Sequence, residues 1–220
     1  MVHELGHILV GLKEGFKFYI FIAGPFGLKR NENDKIVFYI EKDISLWGGL
    51  GATVPRYDNE DNYRKFGHIL LGGPIASIFF GAIALSLAII TSNKLFLLFG
   101  VMSLSMGVVS LIPLRNGAFY TDGGRWLRMH KSEKTKIVEM ALWNLTQKTI
   151  IQGNYTHANL AEIMILINDD DMRTQYLGHY YAYNFYKDNK DIANSEKEKE
   201  ELDKLKRKVP KQMVTMFSVD

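Results

Sequence analysis

The chain has 220 residues, 47% of them hydrophobic and 23% charged, with a formal net charge of +3 and a mean hydropathy of −0.08. This composition excludes a disordered or collagen-like chain, and the length allows one large domain or two small ones. There is no cysteine, so disulfides, thiolate metal sites and a cysteine nucleophile are excluded and any chemistry must come from His, Asp, Glu, Ser or Lys.

Residues 2–12 (VHELGHILVGL) read as a short apolar helix with polar side chains at 3, 4 and 7. From 16 to about 47 the pattern changes to β-branched and aromatic residues punctuated by Gly24-Pro25 and by 31–34, which predicts the strands of a small sheet. Gly48, Gly49, Gly51 and Pro55 then predict a loop.

The near-zero mean hydropathy averages two unlike parts. Residues 69–114 carry one charge, Lys94. Within them 69–90 and 95–114 are uncharged runs long enough to cross a hydrocarbon layer about 30 Å thick as helices, joined by a tight turn at 91–94. Burying both as the core of a soluble protein would demand a much larger chain. Small residues (Gly72, Gly73, Ala76, Ser77, Gly81, then Ser103 and Gly107) suit close packing of helices in lipid. Arg56, Arg64 and Lys65 precede the first run and Arg115, Arg125 and Arg128 follow the second, so both flanks are expected on the cytoplasmic side. Residues 1–130 hold 13 basic and 10 acidic side chains, the remainder 14 of each. The excess positive charge thus belongs to the membrane half and points to anionic lipid rather than nucleic acid.

Beyond residue 130 the chain is polar and helical, with apolar spacing predicting helices over about 132–152, 155–167, 172–186 and 192–208. GNYTHANLAE and DNKDIANSEK echo one another at an offset of 35 residues. That offset is near the period of tetratricopeptide-type helix pairs, and a plain helical bundle explains the pattern equally well. The fold class expected is therefore mainly α, with integral membrane helices, a small membrane-associated β-sheet and a C-terminal helical domain. The domains are 1–130 and 131–220.

His3-Glu4-Leu5-Gly6-His7 is an HExxH motif. On a helix, positions i and i+4 share a face, so His3 and His7 can present two imidazole nitrogens to one zinc ion, with Glu4 beside them as a base. A third protein ligand is needed. His68, His130, His157, His179 and several carboxylates are open candidates.

HELGH at 3–7, Gly73-Pro74 at the start of the first apolar run and Asp122-Gly123-Gly124 after the second occur together and in this order. In these features the chain resembles the site-2 protease family of intramembrane zinc metalloproteases. The resemblance covers about residues 1–130. It implies Zn2+ held by His3, His7 and Asp122, Glu4 as general base, and a membrane-associated sheet that presents substrate as an extended chain. It further implies a multi-pass protein of the cell membrane that cleaves membrane-protein substrates. Residues 131–220 lie outside the resemblance; the flanking charges lead us to expect them on the cytoplasmic side, as a helical domain open to a protein partner. Ser110 stands where the family has Asn and Thr121 where it has Leu; Asn116 is a further candidate for stabilising an oxyanion. Because only Met1 and Val2 precede His3, the outer half of the motif's membrane helix is expected upstream of this sequence. The alternatives are a catalytically impaired membrane adaptor that binds a partner through its C-terminal helices, and a soluble zinc peptidase whose apolar hairpin is core.

Overall fold

The computed structural model describes residues 1–31, 33–59 and 61–219. It is mainly helical with a small four-stranded antiparallel sheet. The chain forms two compact units, one of residues 1–114 and 121–126 and the other of 115–120 and 127–220. The polypeptide therefore passes between them three times, where the sequence reading has a single boundary near residue 130.

The first unit begins with α1 (Val2–Lys13), which carries the HExxH residues. Strands β1 (Lys17–Ala23), β2 (Phe26–Arg30), β3 (Ile36–Ile40) and β4 (Leu50–Val54) follow, in sheet order β3-β2-β1-β4. The β1–β2 turn is set by Gly24 at φ 59°, next to Pro25, and fixes the register Phe21 to Leu28. The expected loop at 48–55 is in fact largely β4. Its glycines let the strand lie directly on α1, since a Cβ on Gly51 would stand 2.8 Å from the Glu4 carbonyl oxygen.

Two long apolar helices complete the unit. Helix α2 (Asp61–Thr91) starts eight residues before the apolar run, with Asp61 in its first turn. Helix α3 (Lys94–Leu111) is capped by Asn93, whose side chain accepts from the Leu95 amide. It stops at Leu111 rather than at 114 because Ile112 precedes Pro113 and is extended (φ −69°, ψ 130°). Between the helices Ser92 takes a positive φ of 50°. Helices α1 and α2 cross at Gly6 and Gly72. A Cβ on Gly72 would lie 2.7 Å from the Gly6 carbonyl oxygen, so any larger residue there would push the helices apart. Pro74 sits inside α2 and removes the hydrogen bond that the Leu70 carbonyl would otherwise accept.

In the second unit, β5 (Arg115–Asn116) and β6 (Phe119–Tyr120) form a two-stranded hairpin. Helix α4 (Asp122–Met129) passes from the first unit into the second. Helices α5 (Glu133–Gln152), α6 (Leu160–Ile167), α7 (Met172–Asp188) and α8 (Ile192–Leu205) pack each on the next, and α9 (Lys211–Met216) follows. Leu145, Ile163, Leu166, Tyr176, Leu177, Leu202 and Met213 form its core. Helix α6 starts five residues later than expected because Asn159 caps it, accepting from the Ala161 amide. The echoed segments lie together: the Tyr155 amide donates to Asp188, and Asn189 to the Thr156 carbonyl.

Candidate metal centre

His3 and His7 lie one turn apart on α1, and the fold brings Asp122, at the first turn of α4, to meet them. The Asp122 Oδ2 atom is 3.0 Å from His3 Nε2 and 3.5 Å from His7 Nε2. The donor atoms of the three residues all lie within 4.8 Å of one another, and this is the one such group found among the described residues. A tetrahedral ion bound at 2.0–2.1 Å separates its ligand atoms by about 3.3 Å. The two spacings to Asp122 Oδ2 bracket that value, and the group of three could hold a metal ion.

Each ligand is held from behind. His7 Nδ1 lies 2.7 Å from the Ile69 carbonyl, and the Gly73 amide donates to the same nitrogen at 3.3 Å, close to the point where Pro74 interrupts α2. His3, 5% exposed, has its Nδ1 3.2 Å from Ser77 Oγ. Gly73 leaves room for both rings, because a Cβ there would stand 2.8 Å from His3 Nε2 and closer still to His7 Nε2. The Gly73-Pro74 pair, a simple kink by itself in sequence, therefore shapes the wall of the site.

Asp122 is seated by its neighbours. Gly123 abuts the Leu111 main chain so closely that no Cβ fits, which brings the start of α4 onto the end of α3. The Thr121 hydroxyl donates to the Ile112 carbonyl at 2.6 Å and accepts from the Gly124 amide at 3.4 Å. Thr121 thus caps α4, the role that Asp122-Gly123-Gly124 read alone would give to Asp122, and the carboxylate is left to the histidines. The Arg125 guanidinium stacks 4.8 Å from the Phe66 ring centroid and ties α4 to α2. Burial pushes the Asp122 carboxyl upward, but hydrogen bonds and charge from His3 and His7 outweigh it and hold the group at about 2.

Glu4 stands outside the ligand group, beside the glycines of β4: a Cβ on Gly49 would lie 3.2 Å from its Cγ. No hydrogen bond or ion pair engages its carboxylate among the described residues. The other histidines are elsewhere. His68 pairs with Glu14 at 2.9 Å, and His130, His157 and His179 belong to the second unit, where His179 pairs with Glu198 at 2.6 Å. Ser110 donates to the Gly107 carbonyl at 3.0 Å. The side chain of Asn116 lies outside the described residues.

Sequence reasoning missed Ser77 and the Ile69 carbonyl as partners of the ligands. The signal for Ser77 is its spacing, four residues after Gly73 on the same face of α2; the carbonyl leaves no trace in sequence. No protein-family model, curated protein or solved structure matches the chain.

Proposed function

We propose that the chain is an intramembrane zinc metalloprotease of site-2 type, hydrolysing peptide bonds in or near membrane-spanning segments of other proteins. One observation carries the reading. Two imidazole Nε2 atoms and a carboxylate oxygen converge in a unit built on two long apolar helices, with the Glu4 carboxylate uncommitted next to His3.

A lipid setting is supported by what α2 and α3 leave uncovered. Within the protein only 33% and 11% of their most apolar stretches are buried, and Ile89 and Phe79 are 82% and 68% exposed. A core helix hides such surface, whereas hydrocarbon covers it without cost. By the basic residues at the flanks we assign the 91–94 turn to the outer side, with both flanks and residues 131–220 cytoplasmic.

Two histidines and one carboxylate make three protein ligands, the number a catalytic zinc site uses when its fourth position is kept for water or substrate. When bound, the ion would polarise a peptide carbonyl and allow water to react near neutral pH. Glu4 takes a proton from the attacking water and delivers it to the leaving amide nitrogen. Strand β4, a free edge of the sheet lying on α1 beside Glu4, offers main-chain groups to an extended substrate.

The test is Glu4→Gln in the full chain, reconstituted with a membrane-spanning peptide. Zinc should remain stoichiometric and cleavage should cease; full cleavage by the variant would end the proposal. A catalytically impaired adaptor predicts no cleavage by the wild type either.

A further inference from the structure

The two edges of the four-stranded sheet differ. Strand β4 lies on α1, whereas β3 pairs with β2 alone, and its outer edge is uncovered among the described residues. At the two ends of the β2–β3 ladder the Asn31 amide donates to the Lys35 carbonyl and the Glu41 amide to the Pro25 carbonyl. Bonded and non-bonded positions alternate along an antiparallel pair. Val37 and Tyr39 therefore bond to β2, and Ile36, Phe38 and Ile40 turn their N–H and C=O groups outward. The same three residues set their side chains on one face, 53%, 62% and 53% exposed, beside Phe26 and Leu28 of β2. Edge strands are ordinarily guarded by a charge, a proline or a bulge. Strand β3 (IVFYI) has none of these.

An edge of this kind accepts another strand, and the sequence around it specifies which. Counted outward from Phe38, Ile36 answers to Ile40, Val37 to Tyr39 and Lys35 to Glu41. The segment is complementary to itself in the antiparallel sense, in apolar character and in charge. Within one copy neither Lys35 nor Glu41 forms an ion pair among the described residues.

We propose that β3 is a homodimer contact: two copies of the chain pair antiparallel through their β3 edges, about a two-fold axis at Phe38, and join their sheets into one. Ile36 then lies opposite the partner's Ile40, and Phe38 opposite the partner's Phe38. These are the residues whose main-chain groups face outward, so every outward N–H and C=O of the strand finds a partner. An axis at Val37 or Tyr39 would oppose groups already bonded to β2. An axis at Ile36 or Ile40 would engage only part of the strand and set Phe38 against a charge. The axis at Phe38 also brings Lys35 opposite the partner's Glu41, at a non-bonded position, where side chains approach most closely. A peptide substrate needs a free edge, but not one complementary to itself.

Because the chain has no cysteine, single cysteines report the pairing without background. The full chain is reconstituted in lipid vesicles and oxidised with copper phenanthroline. Phe38→Cys should form a disulfide-linked dimer, since opposed Cα atoms at a bonded position stand about 5.5 Å apart, a distance that a disulfide spans. Ile36→Cys and Ile40→Cys should each stay uncrosslinked alone, like residues being about 14 Å apart, and should cross-link when reconstituted together. Adding Lys35→Glu to Phe38→Cys sets glutamate opposite glutamate and should cut dimer formation about tenfold; adding Glu41→Lys as well should restore it, which a merely misfolded variant would not do. No disulfide at Phe38→Cys overturns the proposal, as does cross-linking of Ile36→Cys alone equal to that of the mixture, or no effect of Lys35→Glu. Protection of Phe38→Cys from a thiol reagent by an added membrane-spanning peptide, with no disulfide formed, assigns the edge to substrate instead. Neither zinc nor cleavage enters these readouts, so the dimer and the protease reading fail separately.

Discussion

Replacing Gly73 by alanine separates the metal centre from the helix packing around it. The added Cβ would stand 2.8 Å from His3 Nε2 and 2.7 Å from His7 Cε1. Ordinary non-bonded contact begins near 3.5 Å, so the rings must withdraw by about 0.7 Å, whereas metal–ligand distances tolerate only about 0.2 Å. Both nitrogens leave the range in which they can share an ion. The expected outcome is zinc binding at least about 100-fold weaker, or about 2.8 kcal/mol. The atoms in the way belong to side chains, and alanine is the better helix former by about 1 kcal/mol, so metal-stripped protein should melt at nearly the wild-type temperature. At the neighbouring Gly72 the reverse holds. A Cβ there meets the Gly6 main-chain oxygen at 2.7 Å, which yields only if α1 and α2 separate, so Gly72→Ala should lower the melting temperature with or without zinc. Chelator competition and thermal melts in detergent measure the two effects. A Gly73→Ala protein whose zinc affinity stays within threefold of wild type, or one that fails as Gly72→Ala fails, refutes the reasoning.

The Asp122 carboxyl sits at about 2 in the folded chain, below the unfolded carboxylate value of about 3.9. A depressed value stabilises the fold above the unfolded pKa and loses that effect as pH falls through the folded one. Metal-stripped protein should therefore lose stability between about pH 4 and pH 2, and Asp122→Asn should flatten that part of a melting-temperature profile; an unchanged slope counts against the His3–Asp122–His7 cluster. Because Ile89, Phe79 and Leu95 remain largely exposed on α2 and α3, the chain should stay with membranes through alkaline carbonate and high salt and come off only with detergent. Release without detergent would restore the soluble peptidase.

Much of the architecture was legible before any coordinates. The single charge across 69–114 marks two apolar helices, because apolar runs of that length have few other uses. The switch from helical spacing to β-branched and aromatic residues after Phe16 marks the sheet. His3 and His7 declare a shared face because helical geometry alone puts i and i+4 together. Where the reading fell short, a local pattern was overridden by a distant neighbour. Gly48 to Pro55 looks like a loop, yet much of it is strand β4 because α1 lies against its glycines. Thr121 looked like a departure from a motif, and its hydroxyl proves to cap α4 and free Asp122.

What the sequence determined by itself is thus whatever depends on spacing along one element: the helices, the strands and the paired histidines. Only the tertiary structure decided that Asp122 lies 3.0 Å from a residue 119 positions away, that Ser77 backs one histidine and a main-chain carbonyl the other, and that Gly73 is small for the sake of both rings. Those relations arise where α1, α2 and α4 meet, and a ligand set drawn from separate elements has no period to be read along the chain.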